Sequence, residues 1–361
     1  MNADPKRFAK VLLGQALVRS GLWKRSLRMW AERDAVIIFA YHRVIEKWDE
    51  TLDYSQPGMV VTASTFERHV AILKEHFQVV TLDALLADGN TAGRAARPRC
   101  VVTFDDGWRD NYDLAFPILS RHEIPATIFL TADFIGTDRA FWHTELMYLL
   151  TSPKLSSLLS VERAFRAYPD PVRHHLKRLA RLDGAAGAQE VDPLIETVKR
   201  LCDDDAIEEL VHSLAKTAGT RRPLVRDRKF FLDWDQVRTM AAAGIEIGSH
   251  GCSHRILTRL SAEQADDELS RSKAEIEHRI GRKVKHFAFP NDDASGALLN
   301  AAAIAGYRTA CFGGGLVAGQ RRFGIRSLRR LGMHEKVCGD GRSFDEALFH
   351  YWMFRAPKER A

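Results

Sequence analysis

Cys100-Val101-Val102-Thr103-Phe104-Asp105-Asp106-Gly107-Trp108 decides how this chain reads, because a β-branched apolar run stops abruptly on two adjacent carboxylates. Val101, Val102 and Phe104 suit a buried strand, and Gly107 frees the backbone to turn at once. Asp105 and Asp106 therefore belong at the strand's carboxyl end, the edge where α/β folds build their sites. Neighbouring carboxylates repel. The pair reads either as a solvated Asp-Asp-Gly turn or as two groups with different duties around a cation.

Outward from that stretch the same design recurs. Upstream, Ala35 to Tyr41 is a continuous apolar run suited to a strand buried on both faces, and His42-Arg43 closes it. Ser64-x-x-Glu67 has the pattern of a capping box opening a helix to about Phe77, and Gln78 to Thr81 reads as a short strand. Asp88 to Arg99 looks like an exposed connection. Downstream, Asn111 to His122 is a crossover helix that tolerates Pro117 with some distortion, before a strand over Ala126 to Thr131. Further strands follow over Ile245–Gly248, His286–Phe289 and Tyr307–Phe312. The helices between them start at Asp233-x-x-Gln236, Ser261-x-x-Gln264 and Ala294. Strand, helix, strand alternation with polar residues at each tip predicts parallel pairing and a site at the carboxyl edge.

Between about 136 and 230 the rhythm changes to charged, Leu- and Ala-rich helical sequence, including Phe141–Leu150, Val161–Ala167 and Ile207–Ala218. This predicts a helical insertion in an α/β domain spanning 34–335, either a barrel or a parallel sheet, with an N-terminal segment at 1–33 and a C-terminal extension at 336–361. His143, His174, His175 and His212 within the insertion read as surface helix residues.

The composition, 45% hydrophobic and 28% charged over 361 residues, is that of an ordinary folded chain rather than a disordered one. A formal charge of +6 is mildly basic, and no nucleic-acid motif accompanies it, so no nucleic-acid partner is expected. Five widely spaced cysteines without a Cys-x-x-Cys pair favour a reducing compartment, and a cytoplasmic location is expected. Residues 6–30 mix apolar residues with Lys and Arg. They contain neither a signal-peptide core nor a membrane span. As a basic amphipathic segment they either pack on the domain or lie on an anionic membrane surface, with Trp23 and Trp30 at the interface.

His250 and His254 lie four apart just beyond the Ile245–Gly248 strand, a spacing that brings two imidazoles together. With one carboxylate they give three ligands and an open position, the pattern of a catalytic divalent metal site and one suited to Zn2+. Cys252 lies between them but is not needed to complete the set.

Taken together, Thr103-Phe104-Asp105-Asp106-Gly107 and His250-x-x-x-His254 resemble the polysaccharide deacetylases of carbohydrate esterase family 4, the NodB-homology group. The resemblance runs from about Ala35 to Arg330 and leaves the insertion outside the shared core. It implies a distorted (β/α)7-type barrel and metal-dependent removal of N-acetyl groups from an amino-sugar glycan. It makes Asp106, His250 and His254 the metal ligands and Asp105 the base that activates water. The third motif, Phe287-Ala288-Phe289-Pro290-Asn291, implies the backbone N–H of Asn291 as oxyanion donor.

The chain departs from the family's pattern at three places. Ala288 stands where an Arg commonly orients the base, and Arg330 is the candidate replacement, with a surface Arg as the alternative. The usual Leu-x-His acid is represented only by Leu331-Gly332-Met333-His334. Tyr41-His42 instead resembles the branch with an N-terminal Tyr-His motif, so His42 is preferred to His334 as the acid. Gly251 replaces the common Ser or Thr after the first His, with Ser249 or Ser253 able to compensate. Trp108 reads either as a platform for a sugar ring or as a core aromatic. The expected function is deacetylation in assembly of a surface glycan or its precursor. An amidase on another N-acyl or C–N substrate, and a non-catalytic glycan-binding relative, are the alternatives.

Overall fold

Parallel strands numbered β1 to β8 set the frame. They are β1 (Ala35–Tyr41), β2 (Arg99–Phe104), β3 (Thr127–Leu130), β4 (Glu246–Ser249), β5 (His286–Ala288), β6 (Thr309–Phe312), β7 (Ile325–Arg329) and β8 (Leu331–Gly332). The computed structural model describes residues 5–33, 35–49, 51–87, 96–151, 166–182, 186–219, 229–313, 321–322, 324–339, 343–355 and 359–360. The order across the sheet is β7-β6-β5-β4-β3-β2-β1-β8, and every neighbouring pair is parallel.

β7 and β8 are consecutive, with Arg330 alone between them. The stretch 325–332 thus pairs with β6 through its first half and with β1 through its second. Around the break, the Arg330 N–H donates to the Phe312 carbonyl at 2.9 Å and the Met333 N–H to the Ala40 carbonyl at 2.8 Å. The two edges of the sheet meet on one run of chain, giving a nearly closed α/β barrel. Every residue of β1 and β2 is buried, as the unbroken apolar runs require of strands covered on both faces.

The chain divides into two compact units: residues 1–46, 61–137 and 231–361, which hold the barrel, and residues 47–60 with 138–230. The second unit contains helices over Trp142–Leu150, Asp170–Leu179, Ala188–Leu201 and Asp204–Thr217. Within it, the Gln56 amide donates to Asp192 and Glu196, both at 2.8 Å. His143 is a correction: it is buried, because the Trp142–Leu150 helix is covered nearly all round. His174 and His212 are exposed. Residues 161–165 of the expected Val161–Ala167 helix, and 88–95 of the expected connection, lie outside the described residues.

Local sequence explains most barrel helices. Capping boxes form at Asp233/Gln236 and Ser261/Gln264, and the helix Ala262–Ile280 stops on Gly281 at φ 65°. The Ser64 box does not form. The helix Ala63–His76 starts earlier, capped by the Thr62 hydroxyl, because the strand Val60–Thr62 leads straight into it. Pro117 is accommodated as expected. A single π-turn over Asn111–Ala115 absorbs the irregularity, and Pro117 falls in the first turn of Phe116–His122, where its missing N–H costs nothing.

The N-terminal segment folds as α1 (Pro5–Arg19) and α2 (Leu22–Glu32). Trp23 and Trp30 do not reach an interface. Each is only 2% exposed, and they pack edge to face at 5.7 Å, Trp23 also lying against His76 and His350. α1 rests on the helix Glu346–Arg355. Gly14 permits that approach, since a Cβ there would overlap the Ala347 carbonyl.

Candidate active site

β2 delivers Asp105 and Asp106 to the carboxyl end of the barrel as the composition of its strand predicts. Asp106 then takes a left-handed backbone (φ 75°), followed by Gly107 at φ 80°. That turn separates the two carboxylates. Asp105 is bound by Arg330, whose Nη1 and Nη2 donate to its two oxygens at 2.6 and 2.7 Å. Burial alone would raise the Asp105 pKa. The buried guanidinium, with the nearby His250 and His42 adding to it, outweighs it, so the pKa is lowered and the carboxylate stays ionised. Arg330 is therefore a buried residue rather than a surface one, and it reaches Asp105 although position 288 is an Ala.

Asp106 is fully buried. Its Oδ2 accepts the Trp108 indole N–H at 2.7 Å, while its Oδ1 has no hydrogen-bond partner among the described residues. Two imidazoles flank that oxygen: His250 Nε2 at 3.3 Å and His254 Nε2 at 3.2 Å. Donors that share a tetrahedral ion at about 2.1 Å stand roughly 3.4 Å apart, so the spacing fits a common cation. His250 Nδ1 donates to the Ala288 carbonyl at 2.8 Å, which turns the Nε2 lone pair toward Asp106. Asp106, His250 and His254 thus form a group able to hold a metal ion.

The loop carrying the two histidines is held by Glu268. Its carboxylate accepts the N–H groups of Cys252 and Ser253 at 2.6 and 3.1 Å, and the Ser253 hydroxyl as well. Gly251 is required there, for it has φ 81° and a Cβ would come within 2.9 Å of Glu268 Oε2. Ser249 contributes by accepting the Gly251 N–H at 3.2 Å. Burial pushes the Cys252 thiol up to about 12, so it stays protonated beside the ligands.

His42, at the tip of β1, places Nε2 3.8 Å from Asp105 Oδ2 and is partly open to solvent. Its carbonyl is fixed by the Asn111 amide at 2.8 Å. His334 is mostly buried, and burial, reinforced by Lys336, lowers its pKa to about 4. Asn291 sits exposed in the turn Pro290–Asp292 with φ 59°. Trp108 is a correction to the sugar-platform reading. It is wholly buried, stacked on Phe231 at 4.8 Å with the Arg43 guanidinium over its ring at 4.6 Å, so no face is left for a sugar.

A polysaccharide deacetylase model matches residues 92–167 and 201–310, more than half of the chain. The chain belongs to the polysaccharide deacetylase family. YxkH of Bacillus subtilis (strain 168), a protein named for the same family, is 37% identical over 79 residues. That stretch covers 21% of this chain and 28% of YxkH, so the match spans under a third of that relative. The fold is shared with the Streptococcus pyogenes deacetylase PplD, at TM-score 0.52 and 14% identity over 84% of this chain and 94% of that one. It is also shared with the Bacillus cereus polysaccharide deacetylase BC0361, at TM-score 0.50 and 14% identity over 88% and 68%.

Several supports of this site were not foreseen from sequence. Asp292 Oδ1 accepts from Arg330 Nη2 at 3.0 Å, and only a glycine at 313 admits it, since a Cβ there would meet the Asp292 carboxylate. Arg43 donates to Asp110 at 2.8 Å, and Asp110 in turn accepts the Val44 N–H at 3.0 Å. The available signals were modest: Arg43 adjoins His42, and Asp292 adjoins Asn291.

Proposed function

We propose that the chain is a metal-dependent hydrolase that removes N-acetyl groups from an amino-sugar glycan or glycan precursor and releases acetate. The observation that carries this is the division of labour between neighbouring carboxylates. Asp106 offers a buried, uncommitted oxygen to two imidazoles, while Asp105 is tied to Arg330 beside them. Asp106, His250 and His254 would hold the ion. When bound, a divalent ion, Zn2+ being suited to this donor set, supplies a Lewis acid that polarises the amide carbonyl and lowers the pKa of water to about 7.

The remaining work falls to the protein. Asp105, ionised and fixed by Arg330, takes the proton from the attacking water. The backbone N–H of Asn291 is assigned to the oxygen that gains charge. His42, on the open side of Asp105, gives a proton to the sugar nitrogen as the C–N bond breaks. PplD was solved with acetate, the product this reaction would release. Substrates in surface-glycan assembly and a cytoplasmic location complete the reading. The latter is supported by five buried cysteines without a disulfide.

Acetate release from N-acetylglucosamine oligomers and lipid-linked acetylated sugars by the metal-loaded protein tests the assignment. Release that is lost on chelation and restored by Zn2+ is expected. A metal-loaded protein that deacetylates no glycan, or one that hydrolyses only small non-sugar amides, overturns it.

A further inference from the structure

We propose that α1 and α2 form a docking surface for an anionic lipid bilayer, with the outer face of α1 as the inserting element. The site stands independently of the deacetylase reading. Gly14 presses α1 onto the helix Glu346–Arg355 and thereby fixes which side of α1 faces away. On that outward side Phe8 and Leu12 are stacked at i, i+4, with Ala9, Leu13 and Ala16 one step round. Phe8, Leu12 and Leu13 are 61%, 49% and 54% exposed. An apolar helix face left in water where an inward face is already satisfied marks a contact site rather than a core.

Charge decides what covers it. The two helices carry Lys6, Arg7, Lys10, Arg19, Lys24, Arg25 and Arg28 against the single acid Glu32. Their net +6 equals the formal excess of the whole chain. Lys6, Arg19, Lys24, Arg25 and Arg28 are exposed, as are the apolar Leu22 and Met29 of α2. Apolar side chains interleaved with exposed cations suit the boundary between acyl chains and anionic headgroups, whereas a self-association face of this charge would repel its own copy. No described helix is long and apolar enough to cross a membrane, so the contact is peripheral. Trp23 and Trp30 take no part, being buried beneath.

Flotation of the full-length protein with phosphatidylcholine vesicles containing phosphatidylglycerol tests this, with pure phosphatidylcholine vesicles as the control. Binding to the anionic vesicles, weakened at high salt, is expected. The variant Phe8→Glu/Leu12→Glu/Leu13→Glu should bind about tenfold more weakly or worse, with an unchanged melting temperature and unchanged acetate release from soluble oligomers. A second variant, Lys24→Glu/Arg25→Glu/Arg28→Glu, should lose the preference for anionic vesicles. Equal binding to both vesicle types, no binding, or a concentration-dependent dimer that the α1 variant breaks would each overturn the proposal.

Discussion

Two clusters in the barrel unit carry nearly the same donors at nearly the same spacing and differ in what surrounds them. At the carboxyl ends of the strands, His250 and His254 lie 3.3 and 3.2 Å from Asp106 Oδ1. At the amino ends, His286 lies 3.3 Å from Asp83 and 3.4 Å from Glu246. The difference is in what the carboxylates already accept. Glu246 receives the N–H groups of Leu82 and Asp83 at 3.0 and 2.9 Å and the Thr127 hydroxyl at 2.6 Å, while Lys285 takes Asp83 Oδ2 at 2.5 Å. Asp106 Oδ1 accepts no hydrogen bond among the described residues. Both groups have donors close enough to hold an ion. The carboxylates of the lower one are already engaged by backbone, hydroxyl and lysine donors and cap the helix Leu82–Ala87, whereas in the upper one the carboxylate oxygen facing the imidazoles is left uncommitted among the described residues.

The largest expected effect tests that contrast directly. Asp106→Asn should reduce bound zinc from about one ion per chain to near zero and remove turnover, whereas Glu246→Gln should leave the metal count unchanged. Elemental analysis of both proteins reads this, and two ions per wild-type chain would erase the distinction. Within the upper cluster, His42→Ala should lower kcat by about a hundred- to ten-thousand-fold with metal retained. His334→Ala should cost little, because an imidazole whose pKa is about 4 has no proton to give at neutral pH. The reverse ranking in steady-state assays would reassign the acid.

Smaller is the effect of Trp108→Phe, which keeps the ring on Phe231 but deletes the N–H that holds Asp106 Oδ2. Zinc affinity should fall about 10- to 100-fold in a competition titration. Smallest, and confined to stability, is His286→Gln at about 1–3 kcal/mol. Burial alone would lower the His286 pKa, but Asp83 and Glu246 outweigh it and raise the value. Asp83 is lowered, first by His286, and Glu246 is lowered despite burial. A raised imidazole stabilises fully below its unfolded pKa of about 6.5 and loses that contribution as pH rises through the folded value. The lowered carboxylates stabilise above their unfolded values of about 4 and lose it as pH falls. Urea melts should therefore show the His286→Gln deficit largest between those limits and shrinking toward alkaline pH. A deficit that is flat across pH would mean that His286 is not charged.

The legible parts of the molecule are those whose cause is local. β1 and β2 follow from unbroken apolar runs, and the boxes at Asp233 and Ser261 follow from spacing alone. Asp105, Asp106, His250 and His254 could be named because each closes or follows a strand. What could not be read depends on partners distant in sequence. Glu268 reaches the Cys252 loop from 16 residues away, and Asp292 meets Arg330 across 38. Ser64 lost its cap to Thr62, whose N–H and hydroxyl are also drawn to Glu335 across 273 residues. Trp108 looked as suited to a sugar as to a core until Phe231 covered one face and Arg43 the other.

Arg330 is both the single residue between the two halves of the last strand and the counter-charge of Asp105. Sealing the barrel and pairing the buried Asp105 carboxylate are consequently one event. A one-residue slip of that strand would swing position 330 to the opposite face. Asp105 would be left unpaired in the interior, where a lone carboxylate holds its proton instead of taking one. Closure in the right register and a paired, charged carboxylate at the head of β2 thus stand or fall together.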